Sequence, residues 1–161
     1  MLIIVRFILL LSFLVLLHTQ GEAQFVPQTP EEFDSVYNIN IRLSKINGVY
    51  IPRDLQDAHA RIIELSPPES IEKFRMGEEV EVSRKLHFGL GRWMIVNWNF
   101  YEGSRFSHLL NSKGLLHPDD MAQFVLRTLH RSLNNKSLDE EKIIAELATK
   151  RKEEIEEVYK N

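Results

Sequence analysis

The amino-acid sequence predicts a mainly α-helical fold, a small bundle of about five helices with a short N-terminal β-hairpin. Apolar residues recur at helical spacing, prolines and capping residues mark helix starts, and the pair Asn47-Gly48 favours a tight hairpin turn. These signals divide the chain into four segments: a signal peptide over 1–23, a flexible arm over 24–36, a single helical domain with the hairpin over 37–135, and a C-terminal amphipathic helix over 136–161.

The N-terminal segment has the pattern of a secretory signal peptide. Arg6 precedes an apolar run from Phe7 to Leu17, and small residues at positions 21 and 23 precede the expected cleavage site before Gln24. The run is shorter than the roughly twenty apolar residues that a membrane-spanning helix needs. An uncleaved membrane anchor is the alternative interpretation. Both place the body of the protein outside the cytoplasm, secreted or periplasmic, with membrane contact only through this segment.

Amino-acid composition and charge limit how this protein can fold and which partners are expected. The sequence contains no cysteine, so an exported domain must fold without disulfides, which favours a bacterial source. Net charge is −3, and lysines and arginines alternate with acidic residues along the chain, so we expect no nucleic-acid partner. A mature chain of about 138 residues is the usual size of one domain.

The first part of the domain is assigned to the arm and the hairpin. Pro27–Ser35 has two prolines and three acidic residues, and we predict no regular structure there. The alternation of Ile39, Ile41 and Leu43 with polar residues, followed by Asn47-Gly48, predicts a β-hairpin that packs on the helices.

Helices follow, each with its own start or stop signal. Residues 78–83, between the second and third predicted helices, could form either a strand or a helix, and the sequence does not decide between them. The predicted helices run from Pro52 to Leu65, over a short segment that Gly77 ends, from Arg84 to Asn97, from a Ser104 cap to Gly114, from Pro118 to Leu133, and from a capping box of Ser137 and Glu140 onward.

The last helix is predicted to fray after about Arg151. Its lysines precede its glutamates in the Lys150–Glu154 and Lys152–Glu156 pairs, which is the weaker order, and the glutamates oppose the helix dipole. We expect that half to be stable only if a partner packs on the apolar residues near the end.

The motifs INGVYIPRDLQDA, HFGLGRWMIVNW, EGSRF and HPDDMAQFVLRTLHRSLN resemble an uncharacterised bacterial family, domain of unknown function 6794, over about Ile46 to Asn135. The family centre reads like HFGLGRWIRNNWGLW. This chain keeps the histidine, the glycines and Trp93, and it departs from the family pattern after Trp93. The resemblance implies a grouping and no activity.

Metal binding is considered first among the candidate chemistries. His117, Asp120 and His87 could face one point, but His117 as a helix cap, with aspartates at the positive helix end, is the preferred interpretation. Asp119 and His130 are about 16 Å apart along one helix, so they cannot share a metal ion. We place His130 in solvent, on a polar strip with Arg127, Arg131 and Asn134.

Other chemistries have weaker patterns. Gly89-Leu90-Gly91 lacks the third glycine of a dinucleotide loop, and two glycines in a helix suggest that a backbone or a ring comes close. Ser104 lacks a nucleophile elbow. Glu102, Asp119 and Asp120 could supply paired carboxylates for glycosidic cleavage, with Trp98 or Tyr101 stacking on a sugar.

We predict one cleft that collects the polar and aromatic residues that packing does not require, with Arg105 paired internally to Asp119 or Asp120. Its members are His87, Trp93, Asn97, Trp98, Arg105, His117, Asp119 and Asp120. The predicted function is a non-catalytic binding or protein-interaction module, whose partner is a protein or a cell-envelope component. The alternative is a hydrolase of envelope or extracellular polymer. We expect no cofactor and no metal, and no oligomeric state is predicted.

Overall fold

A computed structural model describes residues 27–160, where the chain forms seven helices and one two-stranded antiparallel sheet. The elements are α1 (Pro30–Asn40), β1 (Lys45–Ile46), β2 (Val49–Tyr50), α2 (Leu55–Leu65), α3 (Pro68–Met76), α4 (consecutive segments Glu79–Leu86, His87–Gly91 and Arg92–Asn97), α5 (Arg105–Ser112), α6 (Pro118–Leu133) and α7 (Glu140–Lys160). The mainly helical prediction with a small sheet is confirmed, but the bundle has seven helices and not about five.

The predicted signal peptide and its cleavage site lie outside the described residues. Between residues 27 and 160, no helix combines the length and the apolar character that crossing a membrane requires.

The prediction of a flexible arm over 24–36 is wrong for the residues that belong to α1, because they are helical. Thr29 caps this helix in a capping box, in which its hydroxyl accepts from the Glu32 backbone N–H and the Glu32 side chain accepts from the Thr29 N–H. Pro30 takes the first helical position, where its missing N–H costs no hydrogen bond. The two prolines therefore mark a helix start and not an irregular segment.

The hairpin is shorter than predicted. Ile39 lies in α1 and Ile41 ends it, so the alternation through them does not form a strand. Only Lys45–Ile46 pairs with Val49–Tyr50, and Asn47 and Gly48 form the turn with φ of 49° and 78°. Both positive φ values match the tight turn that this residue pair favours.

Helices α2 and α4 begin at acidic caps. Asp54 caps α2, so the helix begins at Leu55 and not at Pro52 as predicted. Glu78 accepts from the backbone N–H groups of Val80 and Glu81, and the segment left open between strand and helix is the first part of α4. A π-helical turn, His87–Gly91, continues α4 into its last segment.

Helix α6 lies at the centre of the fold and contacts α2, α3, α4, α5 and α7. His117 caps it and Pro118 takes its first position, as predicted. Its side chains are buried on nearly every side, because neighbouring helices surround it. The core residues of α6 are Met121, Ala122, Phe124, Val125, Leu126 and Leu129.

The helix boundaries at Ser104 and Gly114 are also confirmed. Ser104 forms a capping box with Ser107, and Gly114 follows α5 with φ of 96°. The predicted capping box at Ser137 is wrong, because α7 begins at Glu140 after Asp139, which has a φ of 47°.

Candidate functional site

A cleft of about 480 Å³ lies between α4, the N-terminal part of α6 and the middle of α7. We call it the π-turn cleft, because the π-helical turn of α4 forms one of its edges. Charged residues of both signs line it together with apolar ones. They are Val80, Arg84, His87, Phe88, Asp119, Asp120, Gln123, Arg127, Glu146, Leu147, Lys150, Arg151 and Glu154.

Asp119 lies between two histidines at one end of this cleft. Its Oδ1 is 3.0 Å from His87 Nε2, and its Oδ2 is 3.4 Å from His117 Nδ1. His117 Nδ1 also accepts the Asp119 backbone N–H at 3.2 Å, which is the predicted cap. His87 Nδ1 is buried without a hydrogen-bond partner in the described part of the chain. One nitrogen of His87 therefore faces Asp119, and the other is enclosed.

Asp120 binds Arg151 of α7. The guanidinium donates from Nε to Oδ2 at 3.0 Å and from Nη2 to Oδ1 at 2.7 Å, with the Asp120 side chain 16% exposed. These hydrogen bonds raise the pKa of Arg151 above its usual value. Both carboxylate oxygens of Asp120 are engaged in joining α7 to the start of α6. The arrangement gives no support to Asp120 as a general acid or base.

A buried ion-pair network forms the back of the cleft. Glu79 binds two arginines of α6, with Oε1 3.0 Å from Arg127 Nε and Oε2 2.8 Å from Arg131 Nε. Arg127 also binds Glu146 of α7 at 2.8 Å. The side chains of Glu79 and Arg127 are only about a tenth exposed. The network therefore connects α4, α6 and α7 from inside the fold.

The predicted solvent-exposed strip on α6 is thus wrong. His130 is 3% exposed, its Nε2 lies 3.0 Å from the Gly77 carbonyl oxygen, and its ring meets Phe74 edge to face. Asn134 donates to the Arg75 carbonyl oxygen.

Arg105 does not reach either aspartate. Its Nε donates to the Ile51 carbonyl oxygen at 2.9 Å, and its guanidinium lies 5.1 Å from the centre of the Tyr50 ring. The Tyr50 hydroxyl in turn donates to Asp57 at 2.7 Å. The predicted pair of Arg105 with Asp119 or Asp120 is wrong, and Arg105 instead holds the hairpin against the start of α5.

The tryptophans of the predicted cleft also lie elsewhere. Trp98 is fully buried and packs edge to face on Trp93 and Phe106, so it cannot stack on a sugar. Trp93 lines a separate shallow groove, and Asn97 Nδ2 donates to the Trp93 carbonyl oxygen. Of the eight predicted residues, the structure brings four together: His87, His117, Asp119 and Asp120.

The two glycines of the π-helical turn have different surroundings. A Cβ on Gly91 would lie 3.0 Å from His87 Nδ1, so the expected close approach of a ring is present there. At Gly89 nothing lies within 4 Å of such an atom, so the expectation is wrong at that position.

Phe88 is one of the cleft residues that sequence reasoning missed. Its side chain is 79% exposed at the edge of the cleft. Its neighbours in the sequence are His87, which faces Asp119, and Gly89, where an added Cβ would meet nothing within 4 Å. The sequence interpretation treated this segment as an ordinary α-helix. The π-helical turn, which adds a residue to one turn, is what changes the direction of its side chains.

Among residues 27–160, no group of three or more histidines, cysteines and carboxylates is placed so that it could hold a metal ion. What the cleft offers chemically is a set of fixed charges and exposed apolar atoms.

Comparison with known proteins gives one match. The family model described as Domain of unknown function (DUF6794) matches residues 51–133, just over half of the chain. The match begins at the end of the hairpin and ends with α6, so it includes the α4 and α6 sides of the cleft and leaves out α7. No curated protein and no solved structure matches the chain significantly.

Proposed function

The chain belongs to the family Domain of unknown function (DUF6794), and on that premise we propose that it is a non-catalytic binding module that engages a protein partner through Phe88 and the π-turn cleft. The exposed aromatic ring at the mouth of a charged cleft carries this proposal.

Phe88 contributes little to the stability of the isolated domain. Burying a phenylalanine side chain contributes roughly 1.5–3 kcal/mol, and this ring gains little of that from its own chain. It lies on a π-helical turn, a feature frequent at functional sites. An aromatic residue that a partner buries at the centre of an interface supplies a large share of the binding free energy.

The rest of the cleft has the composition of an interface. Charged pairs such as Asp120–Arg151 line the same cleft as the exposed ring, and they are already oriented by each other. An apolar anchor with a polar rim is the common arrangement of protein–protein contacts. Charges held in advance cost little ordering entropy on association. This supports binding, and no contact in the cleft favours the hydrolase alternative.

Export belongs to the same proposal. The apolar run at Phe7–Leu17, with Arg6 before it and small residues at 21 and 23, supports cleavage before Gln24 and action outside the cytoplasm. Mass spectrometry of the protein isolated from the cells that express it tests this. We expect a secreted or periplasmic chain beginning at Gln24, and an intact N-terminus in the cytoplasmic fraction would contradict it.

Site-specific photo-crosslinking tests the binding surface. A photoreactive phenylalanine analogue at position 88 is expected to crosslink one defined protein in the cells that express the chain. The matched control places the same analogue at Val96, which is 70% exposed on the same helix but does not line the cleft. A product from position 88 alone supports the proposal.

Substitution then separates binding from folding. Phe88→Ala should abolish the crosslinked complex, as detected with a reactive group on a neighbouring cleft residue such as Arg84, while Val96→Ala leaves it. Thermal unfolding of both variants should match that of the original chain, because both side chains are exposed. Equal crosslinking from positions 88 and 96 would remove the support for a cleft-specific partner.

A further inference from the structure

The exposed side of α4 around Phe88 carries positive charge. Residues 82–101 include Arg84, Lys85 and Arg92 but no aspartate or glutamate, although the net charge of the whole chain is −3. All three basic residues are exposed. The segment that presents the exposed aromatic ring is therefore a local excess of positive charge on an acidic protein.

The two arginines of this segment are not used by the domain itself. Of the ten arginines between residues 27 and 160, seven bind a carboxylate or a backbone carbonyl oxygen, whereas Arg84 and Arg92 form no hydrogen bond and no ion pair with the described residues. Lys85, in contrast, binds Glu81 at 2.6 Å. This hydrogen bond is the main cause of the lowered pKa of Glu81, to which Arg84 adds only a weaker attraction. The charges of Arg84 and Arg92 are thus available to a partner.

These two arginines lie on either side of Phe88. Arg84, Phe88 and Arg92 follow at intervals of four residues, which places them along one side of the helix. Arg84 and Phe88 also line the same cleft. A partner that buries the Phe88 ring would bring its own groups beside both guanidinium groups. A carboxylate suits that position, because it can bind a guanidinium through two parallel hydrogen bonds.

The acidic residues of the cleft favour a protein segment over a uniformly anionic surface such as a membrane. Glu146 binds Arg127 at 2.8 Å, and Glu154 lies 3.5 Å from Lys150, so their charges are engaged and do not neutralise Arg84. Their side chains are still 44% and 48% exposed. A surface with negative charge everywhere would be repelled by them, whereas a peptide can place single carboxylates at the arginines.

Gly89 leaves room for the backbone of such a segment beside Phe88. An added Cβ at Gly89 would meet nothing within 4 Å, so alanine would fit there and would favour the helix more than glycine does. A residue without a side chain allows another backbone to come close to α4. Beyond this point lies a shallow, mostly apolar groove of about 340 Å³, lined by Ile62, Leu65, Ser66, Gly89, Leu90 and Trp93.

We propose that the partner binds this surface through an acidic segment, with carboxylates on Arg84 and Arg92 to either side of Phe88 and an apolar side chain in the groove beside Trp93. The backbone of the segment crosses α4 at Gly89, between the π-turn cleft and the groove. The inference rests on the proposed function, since it names the chemistry of the partner for the same site.

A random peptide library displayed on phage tests which chemistry the site selects. The target is the chain as purified from the cells that express it, and the Phe88→Ala chain is a parallel target. Peptides that bind the original chain but not the Phe88→Ala chain should contain several aspartates or glutamates next to a large apolar residue.

Charge reversal then measures the role of each arginine. With an enriched peptide followed by fluorescence anisotropy, Arg84→Glu and Arg92→Glu should each weaken binding by about tenfold or more, because a carboxylate then meets a like charge. An uncharged residue at position 84 keeps Arg92 and should weaken binding only severalfold. Lys136→Glu changes the net charge equally and should have no effect, because Lys136 is exposed after the C-terminal end of α6, away from the cleft. Circular dichroism confirms that each variant is folded.

The outcomes separate this inference from the proposed function. Enriched peptides that require Phe88 but are neutral or basic, or whose binding both reversals leave unchanged, would overturn the acidic segment and leave the cleft as a binding site. Peptides that bind the Phe88→Ala chain equally well, or a library that yields no binder, would overturn both proposals. Binding to phosphatidylglycerol vesicles that Arg84→Glu and Arg92→Glu abolish would also overturn the acidic segment, because the arginines would then serve a membrane surface.

Discussion

His59 illustrates how a single buried side chain ties stability to pH. The ring is 6% exposed between α2 and α6, and Nε2 lies 3.0 Å from Thr128 Oγ1. Because the Thr128 hydroxyl donates to the Phe124 carbonyl oxygen at 2.8 Å, it accepts a hydrogen from His59 Nε2. The neutral imidazole therefore fits this site, and burial lowers the pKa of His59 from 6.5 to about 4.

This shift predicts loss of stability in mild acid. The unfolded chain binds a proton on His59 below pH 6.5 and the folded chain does so only near pH 4, so the stability falls as the pH drops between these values. We expect the free energy of unfolding to be about 2 kcal/mol lower at pH 5 than at pH 7.5 from this group alone. Denaturant unfolding at both pH values measures it.

His59→Gln is the matched variant, because its amide can donate to Thr128 but does not titrate in this range. Its unfolding free energy should change by about 2 kcal/mol less between the two pH values. If both proteins show the same pH dependence, His59 is not the source of the acid sensitivity.

Asp120 has a structural partner that the sequence did not reveal. The sequence correctly predicted acidic residues at the start of α6, but Arg151 is 31 residues away and its approach depends on how α7 packs. We expect Asp120→Asn to lower the unfolding free energy by about 1–2 kcal/mol, because two charge-assisted hydrogen bonds weaken.

A double-mutant cycle with Arg151→Met measures that pair. Its coupling energy should exceed the roughly 0.3–0.5 kcal/mol typical of exposed helix pairs, which the Glu81–Lys85 pair of α4 provides as a control. Equal coupling in the two pairs would show that Asp120 and Arg151 act as an ordinary surface pair. Hydrogen exchange in the second half of α7 should also rise when either residue is replaced.

Among the secondary-structure elements, α4 shows which features of a helix are determined by its own sequence. The face of Leu90, Trp93 and Met94 and the approximate end at Asn97 were predictable from spacing. The π-helical turn was not predictable from spacing, and its first residue, His87, lies 3.0 Å from Asp119 of another helix. The same limit explains α1, whose capping box was readable at Thr29 and Glu32 but whose prolines suggested an irregular arm.

The two glycines of this turn give a paired prediction. Gly89→Ala should stabilise the protein by about 0.5–1 kcal/mol, because alanine favours helix and the added Cβ meets nothing within 4 Å. Gly91→Ala should lose that gain or reverse it, because its Cβ would lie 3.0 Å from His87 Nδ1 and Asp119 restrains the ring from the other side. Thermal unfolding of both variants compares them directly, and an equal rise in Tm would mean that His87 moves freely.

For the whole molecule, the sequence predicted the fold class and most helix boundaries, but it did not predict which polar residues are buried. Arg127, His130 and Arg131 are spaced as a polar strip, and a strip on an outer helix would face solvent. Here five other helices surround α6, so those polar groups are buried and need partners. Glu79, the partner of Arg127 and Arg131, lies in the segment left open between strand and helix, so the network could not be inferred until α4 was placed.

Replacing Glu79 should therefore destabilise the whole fold. Glu79→Gln leaves Arg127 and Arg131 without their shared carboxylate, although Glu146 and Asp139 keep one contact with each. Removing one member of a buried ion pair typically costs about 3–5 kcal/mol, and we expect a loss toward the lower end because of those remaining contacts.

Glu72→Gln is the control, since Glu72 pairs with Arg75 at the surface and its replacement should change the unfolding free energy little. The midpoint and slope of denaturant unfolding distinguish the two effects. If Glu79→Gln lowers the cooperativity of unfolding for probes in both α4 and α7, Glu79 joins these helices into one folding unit. If the Glu79→Gln protein is as stable as the Glu72→Gln protein, packing around α6 alone holds the helices together.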